Sequence, residues 1–242
     1  MKRIFYSLSI LALLSLFSCL GIDNYAGPDS TLSGNLIDQS TGKNFVTSQN
    51  DFKIRIWQKS WSDNPAPQDI PVKQDGTFYN DKLFDGTYDM APYGGPFWPI
   101  DTETGVKLSG SLSKNFTVTP YLQITDATFN LSGTNLKITC KLKAPIVANL
   151  PRVLEVRPFV SLSQFCGSSS RIDAYNDDKY TVGVNANWSD GVGDASGVGY
   201  NTYVLPDIPL LSGRTYYVRV GSRVQDTYQK YNYSDISVIT VP

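Results

Sequence analysis

Short runs in which apolar and polar residues alternate are the feature that most constrains this chain. Ten such runs lie between Phe52 and Val241, and no segment after the N-terminal apolar stretch has a 3.6-residue apolar period. Turn signals such as Asp75-Gly76 and Ser212-Gly213 separate the runs. Because a period of two is typical of half-buried strands, the pattern predicts an all-β chain.

The number of runs also indicates how many domains the chain has. Ten or more strands in 242 residues suit two sandwiches of about 100 residues each. Pro120 interrupts the run KNFTVTPYL, which places the seam near residues 119–122. We therefore predict two tandem β-sandwiches, at residues 31–120 and 121–242.

The N-terminus has the pattern of a lipoprotein signal peptide. Lys2 and Arg3 precede an apolar run at residues 4–17, which is too short to span a bilayer. The run ends in LFSC, a lipobox in which a cysteine is lipidated and becomes the mature N-terminus. We expect residues 1–18 to be removed, and Cys19 to carry palmitate-type lipid that anchors a flexible tether at residues 19–30 in an outer membrane.

The charge balance excludes one class of partner. The 21 basic residues fall to 19 when Lys2 and Arg3 are removed, against 22 acidic residues. A chain with this slight acidic excess lacks the basic footprint of a nucleic-acid-binding protein.

Two cysteines remain after lipidation. In LKITCKL, Cys140 shares one strand face with Leu136, Ile138 and Leu142 and is expected to be buried, whereas Cys166 lies at the start of a turn. An exported protein can form a disulfide between them, and two buried free thiols fit equally well. Two cysteines are too few for a metal cage, so we expect no metal and no cofactor.

The first domain resembles the carboxypeptidase-regulatory or transthyretin-like sandwich. That family opens with a Gly-x-Val-x-Asp-x-x-Thr-Gly strand and turn, and Leu36 replaces its valine here. It continues with an Asp-Gly-x-Phe strand, a leucine and a Gly-Thr-Tyr strand. The matching residues are Gly34, Leu36, Asp38, Thr41, Gly42, Asp75, Gly76, Phe78, Leu83, Gly86, Thr87 and Tyr88.

The second domain resembles a fibronectin type III or related immunoglobulin-like sandwich. In LLSGRTYYVRVGSRV, Leu210, Gly213 and Tyr216 occupy the positions of the corner between the E and F strands. Such a tyrosine corner bonds its phenol back to upstream backbone. Ser212 stands where the family usually has proline.

The whole arrangement resembles a family of Bacteroidetes outer-membrane lipoproteins of unassigned function. A lipobox, DNY at 23–25, the run LFDGTY at 83–88, Pro92 and GPF at 95–97 occur in its order. Members are commonly encoded beside SusC/SusD-like glycan importers. The resemblance therefore implies a surface role beside such importers in handling polysaccharide, and it implies a possible O-glycan at Ser30 in the triplet DST.

The composition argues against an enzyme. The chain contains no histidine, which removes the usual general base and the commonest metal ligand. A glycosidase needs two paired carboxyl groups, and nothing pairs Glu103 with Glu155. Asp190 and Asp194 in a glycine-rich segment could gather around calcium, but their spacing matches no EF-hand, and we expect a hairpin loop.

Aromatic residues are the candidates for binding glycan, because sugars present flat apolar faces to rings and hydroxyls to Asp, Asn and Gln. Alternation places Trp57 with Lys53 and Arg55, opposite the apolar face of its strand. The four candidates are Trp57, Trp61, Tyr93 and Trp98.

The stretch YGGPFWPID at 93–101 is a stiff, irregular loop, because Pro96 and Pro99 cannot donate to a ladder. We expect Phe97 to fill a core. Trp98 is either part of the same plug or an exposed platform near Trp57 or Trp61.

Three functions of different classes follow. The leading one is a non-catalytic surface lipoprotein that binds glycan beside a SusC/SusD-like importer. The second is a structural spacer or assembly subunit that docks on other outer-membrane proteins, and the third is a glycan hydrolase.

Overall fold

The structure, a computed structural model, describes residues 27–242. The predicted signal peptide, Cys19 and most of the predicted tether lie outside the described residues. Regular structure in the described part is almost entirely β, and none of its helices has the length and apolar character needed to cross a membrane. The prediction of two tandem β-sandwiches is confirmed.

The N-terminal sandwich is built from β1 (Ser30–Asp38), β2 (Lys53–Gln58), β3 (Gln68–Pro71), β4 (Thr77–Leu83), β5 (Gly86–Tyr93), β6 (Glu103–Leu108), β7 (Ser111–Ser113) and β8 (Phe116–Val118). One sheet has the order β4-β1-β7, and β8 continues beside β1 where β7 ends. The other sheet has the order β3-β2-β5-β6, and the core lies between the two.

Aromatic residues fill the core of this sandwich. Phe78 and Tyr88 point inward as predicted, and the buried Tyr88 hydroxyl donates to the Phe84 carbonyl oxygen at 2.7 Å. Gly34 of the opening motif is needed for close approach, because a Cβ there would lie 1.7 Å from the backbone oxygen of Lys114. Phe97 is 4% exposed and packs edge-on against Phe52, with 5.3 Å between ring centroids. The expectation that Phe97 fills a core is confirmed.

Ser30 begins β1 and does not belong to a tether. Its side chain is fully buried, and its Oγ donates to a carboxylate oxygen of Asp85. A glycan on this oxygen would need the space that Asp85 and the neighbouring strand occupy. The implied O-glycosylation of Ser30 is therefore wrong for the folded chain.

The C-terminal sandwich is built from β9 (Gln123–Ser132), β10 (Asn135–Lys143), β11 (Val153–Ser161), β12 (Val182–Ala186), β13 (Tyr203–Val204), β14 (Ile208–Pro209), β15 (Arg214–Val224), β16 (Tyr231–Tyr233) and β17 (Ser237–Val241). In one sheet β10 pairs with β9 on one side and with β13 and β14 on the other. The other sheet has the order β12-β11-β15, with β16 and β17 sharing the free side of β15. Three short helical turns lie at Asp173–Tyr175, Asp178–Tyr180 and Trp188–Val192.

The tyrosine corner forms at the start of β15. Tyr216 is 1% exposed, and its hydroxyl oxygen accepts a hydrogen bond from the Leu211 backbone N–H at 3.2 Å. Val218 and Val220, which follow on the same face, are fully buried in the core of the sandwich. The phenol thus fixes the turn that leads into the central strand, as the sequence predicts.

Cys140 and Cys166 are both buried and both free. Cys140 lies in the core between the two sheets, whereas Cys166 packs in a separate cluster with Phe159. Of the two alternatives that the sequence allowed, the disulfide is absent and the buried thiols are found. Desolvation raises the pKa of Cys140 to about 12 and that of Cys166 to about 11, so both stay protonated and unreactive near neutral pH.

A backbone clamp joins the two sandwiches. The Trp98 N–H donates to the Thr119 carbonyl oxygen at 2.9 Å, and the Tyr121 N–H donates to the Pro96 carbonyl oxygen at 3.1 Å. The proline-bracketed loop is thereby paired to the linker between the domains. Phe97 goes into the N-terminal core, and the half-buried Trp98 packs on the C-terminal core, with its ring centroid 5.1 Å from that of Tyr121.

Side chains of β16 reinforce this clamp. Asn232 is buried, its Nδ2 donates to the Pro96 carbonyl oxygen at 2.9 Å, and its Oδ1 accepts the Leu122 N–H at 3.1 Å. One amide therefore holds both the loop and the linker, which fixes the two sandwiches relative to each other.

We predict that Trp98→Ala destabilises the protein by about 2–3 kcal/mol, below the range for a fully buried tryptophan, because part of the side chain is already exposed. Trp61→Ala is the matched control: Trp61 is 65% exposed, and its loss should cost about 0.5 kcal/mol or less. Urea denaturation followed by fluorescence measures both, and equal stability of the two variants would contradict the packing role of Trp98.

Candidate functional site

The outer face of the β3-β2-β5-β6 sheet carries the candidate site. Ile54 and Ile56 are fully buried on β2, and the alternating residues Lys53, Arg55 and Trp57 are half-buried on the opposite face. The orientation of Trp57 that the sequence predicts is therefore found. A ligand can reach this face, because Lys53, Arg55 and Trp57 are only partly buried.

A groove of about 440 Å³ adjoins the Trp57 ring. Asp89 lies opposite Trp57 in the register of β2 and β5. The loop between β2 and β3 forms one wall with residues 63–65, and Thr102 and Thr104 form the other. The volume is within the range of small-ligand pockets, and we call this set of residues the Trp57 groove.

The polar groups of the Trp57 groove suit hydroxyl groups of a ligand. Asp63, Asn64 and Asp89 contribute carboxylate and amide oxygens, which accept from hydroxyls, while the two threonines can both donate and accept. Asp89 is held in place because its Oδ1 accepts the Gly105 N–H at 3.0 Å. A tryptophan ring beside oxygen acceptors is an arrangement that can contact the flat face and the hydroxyl groups of a sugar ring.

Next to the groove on the same face, an ion pair orders the side chains. Arg55 donates through Nε and Nη2 to the two carboxylate oxygens of Asp69, at 2.8 and 3.0 Å, and Lys53 lies 2.8 Å from Oδ2. The hydrogen bond from Arg55, followed by that from Lys53, lowers the pKa of Asp69 to about 2. The carboxylate stays ionised and engaged throughout the physiological range.

The ion pair also positions a pair of tyrosines from the two domains. The Arg55 guanidinium carbon lies 3.8 Å from the centroid of the Tyr93 ring, which in turn packs edge-on against Tyr228 at 5.6 Å. Tyr228 is 41% exposed and lies in the loop between β15 and β16. A hydrogen bond with Tyr228, followed by the charge of Arg55, lowers the pKa of Tyr93.

The four aromatic candidates thus lie in three places. Trp57 and Tyr93 share one sheet face. Trp61 belongs to the loop that lines the groove, but its ring packs on Phe84 with centroids 4.7 Å apart. Trp98 lies at the domain seam, and the alternative of a largely exposed Trp98 platform is wrong, because the backbone clamp turns its ring onto Tyr121.

Sequence reasoning missed several residues of this face. Asp89, Thr102 and Thr104 reach the groove only through the pairing of β5 with β2 and β6. Tyr228 comes from the other domain. The signal that could have found Asp89 is the alternation of GTYDMA, in which the buried Tyr88 and Met90 force Asp89 outward.

The glycine-rich segment after β12 forms a turn in which the aspartate side chains accept hydrogen bonds from neighbouring residues of the same segment. Asp194 Oδ1 accepts from the Ser196 N–H, the Ser196 hydroxyl and the Val198 N–H at 2.7–2.9 Å. Asp190 accepts instead from the Asn187 amide at 2.7 Å. Across residues 27–242, no three His, Cys, Asp or Glu side chains are grouped so as to hold a metal ion.

The fold and the groove define an all-β, two-domain protein with an aromatic and carboxylate-lined groove on one sheet. Residues 30–119 match the family described as "Protein of unknown function (DUF3823) N-terminal domain", and residues 122–238 match "Domain of unknown function (DUF3823_C)". The chain belongs to the DUF3823 family. The resemblance to a Bacteroidetes family of unassigned function is confirmed.

Solved structures of similar fold come from Bacteroides and Parabacteroides species. A "putative carbohydrate binding protein" from Bacteroides uniformis is 21% identical, with a TM-score of 0.71 over 88% of this chain and 100% of that one. A DUF3823 family protein from Bacteroides uniformis is 22% identical, with a TM-score of 0.70 over 89% and 100%. One from Parabacteroides merdae is 23% identical, with a TM-score of 0.65 over 89% and 100%. These similarities show that this chain shares the fold of the three proteins. No curated protein matches the chain.

We predict that Asp69→Asn lowers stability by less than about 1 kcal/mol near neutral pH, because partly exposed ion pairs contribute little. A folded-state pKa below the ordinary value of 3.8 gives stability that is present above that value and is lost as the pH falls toward 2. The difference between wild type and variant should therefore shrink below about pH 4. Urea denaturation between pH 2.5 and 7 tests this, with the exposed Asp81→Asn as control. A difference independent of pH would contradict it.

Proposed function

We propose that the protein is a non-catalytic, cell-surface lipoprotein that binds glycan at the Trp57 groove, as an accessory to a SusC/SusD-like importer. The observation that carries the binding role is the half-buried Trp57 ring beside the outward carboxylate of Asp89, with further acceptors around it. The description of the Bacteroides uniformis protein as a "putative carbohydrate binding protein" supports the same role.

The state of the two glutamates supports the absence of catalysis in this proposal. Glu155 Oε1 is bound by Arg157 and Arg223 at 3.0 and 3.1 Å, and Glu103 pairs with Lys114. The two glutamates lie on strands of different domains, each in ion pairs of its own, and are not placed as a pair of carboxyl groups about one bond, which a glycosidase needs. The chain also has no histidine. The proposed role is therefore retention of glycan and not cleavage.

The surface location in this proposal rests on the sequence. The lipobox places Cys19 eleven residues before Ser30, where β1 begins. A short tether of this kind would hold the first sandwich near the lipid surface. The family resemblance supports the pairing with an importer.

A spacer or assembly role is the second candidate, and the seam favours it. The clamp between Pro96–Trp98 and Thr119–Tyr121 fixes the angle between the sandwiches, which is what a rigid spacer needs. Co-purification with a SusC/SusD-like pair in the absence of glycan would favour this role over glycan binding.

We predict that Trp57→Ala weakens binding to the polysaccharide retained by the wild type about 5- to 100-fold, or about 1–3 kcal/mol, the range of an aromatic anchor. Asp89→Ala should weaken it as well, through loss of an acceptor. Tyr79→Ala is the matched control, because Tyr79 is 55% exposed on β4 of the opposite sheet.

Affinity electrophoresis in gels that contain single polysaccharides measures these effects, with thermal melts to show that each variant is folded. If no polysaccharide retains the wild type, or if the Tyr79 variant loses as much affinity as the Trp57 variant, binding at the Trp57 groove is refuted.

We predict that Cys19→Ala releases the protein from the membrane fraction of cells that express the full chain, because a lipidated cysteine is its only proposed anchor. Fractionation followed by immunoblotting measures the shift. Cys140→Ala serves as the control, since this buried thiol has no role in anchoring. Persistence of the Cys19 variant in the membrane fraction would refute lipid anchoring.

A further inference from the structure

A second cavity lies between the two sandwiches, away from the Trp57 groove. It has a volume of about 590 Å³ and is lined by residues of both domains. Gln74 from the first domain fixes its wall, because its Nε2 donates to the Gln164 carbonyl oxygen and its Oε1 accepts the Cys166 N–H, both at 2.9 Å. The two domains therefore form the cavity together, with a rigid rim.

Arg219 of β15 lies at the wall of this cavity and is only 1% exposed. Its Nη2 donates to the Thr47 carbonyl oxygen at 2.8 Å, and its guanidinium stacks over the Tyr233 ring at 3.7 Å. Its Nε–H is buried and has no partner among the described residues. Within residues 27–242, no carboxylate lies within ion-pair distance of this cation. A buried charge without a counter-charge is costly.

The nearest buried carboxylate is already engaged elsewhere. Asp51 accepts from the Ser168 hydroxyl at 2.6 Å and lies 3.6 Å from the Lys230 ammonium group. Asp75 and Asp235 also line the cavity; Asp75 accepts from the Thr77 hydroxyl at 2.7 Å, and Asp235 is exposed to solvent. Among the described residues, Arg219 therefore has no carboxylate in ion-pair contact, and Asp51 attracts it only through space.

We propose that this interdomain cavity binds a carboxylate-bearing sugar, with its carboxylate directed at Arg219. A guanidinium matches a carboxylate in shape and charge, and the cavity volume suits one or two sugar rings. Phe165 lines the same cavity and is 45% exposed, which gives a ring on which the sugar face can stack. Lys73 at the rim adds a second cation.

This site is independent of the Trp57 groove, because the residues that line the two cavities do not overlap. A neutral polysaccharide can bind at the groove while an acidic sugar residue occupies the interdomain cavity. Failure of either proposal therefore leaves the other standing.

The experiment records ¹⁵N spectra of the two-domain protein without its predicted signal peptide and lipidated cysteine, and follows the Arg219 Nε–Hε resonance. Loss of this resonance in the Arg219→Lys variant assigns it. The probes are glucuronate, galacturonate, glucose and acetate at equal ionic strength. At least one uronate should shift the resonance saturably, glucose should not, and acetate should need at least tenfold higher concentration. The proposal is overturned if neither uronate shifts the resonance saturably. It is also overturned if acetate shifts it at the same concentration, because the site would then bind an adventitious ion only.

A matched pair of variants tests the stacking ring without removing Arg219 from the seam. Phe165→Ala should weaken uronate binding at least fivefold. Leu162→Ala, an equally exposed apolar residue outside the cavity lining, should leave it unchanged, and so should Trp57→Ala. Unchanged binding in the Phe165 variant, or equal loss in the Leu162 variant, overturns the proposal.

Discussion

The structure depends on the pairing between the loop Pro96–Trp98 and the linker Thr119–Tyr121. Two prolines stiffen the loop, so its backbone groups point in fixed directions and can bond the linker as a short bridge. The two consecutive aromatic rings then face opposite ways, Phe97 into one core and Trp98 onto the other. One short stretch of chain therefore sets the orientation of both sandwiches.

This clamp explains why surfaces made from both domains have a defined geometry. Tyr228 from the second domain meets Tyr93 from the first, and Arg219 reaches across to the Thr47 carbonyl oxygen. Contacts of this kind need the two bodies to be held within fractions of an ångström. A flexible linker at Pro120 would leave Arg219 with neither its acceptor nor a closed cavity, and its burial would then be unfavourable.

The sequence predicts the parts of this fold in which one face of a strand is buried. Alternation identifies β2, β10 and the first part of β15, because Ile54, Ile138 and Tyr216 are buried and their neighbours are not. It misses β9, where half-exposed residues alternate with exposed ones and no apolar position is fully buried. The orientation of Trp57 is predicted for the same reason that β2 is. The sequence does not predict that Asp89, Thr102 and Thr104 lie beside Trp57. The pairing of one strand with another cannot be inferred from the local pattern of residues. The sequence does not decide whether Trp98 is exposed, because a ring on a stiff loop can face either solvent or a second domain.

The distribution of charge connects the two candidate sites to different ligands. On the sheet face, Arg55 and Lys53 share the carboxylate of Asp69, and Lys59, which also lines the Trp57 groove, donates to the Asp63 backbone oxygen. At the seam, Arg219 has an acceptor and an aromatic face but no carboxylate. Burial lowers the pKa of Arg219, whereas the nearby charge of Asp51 acts through space in the opposite direction. Because an arginine keeps its proton even so, an anion in direct contact with the guanidinium would stabilise the charged form further. The Trp57 ring with the carboxylates of Asp63 and Asp89 thus favours hydroxyl groups at the sheet face, and the buried Arg219 favours an acid at the seam.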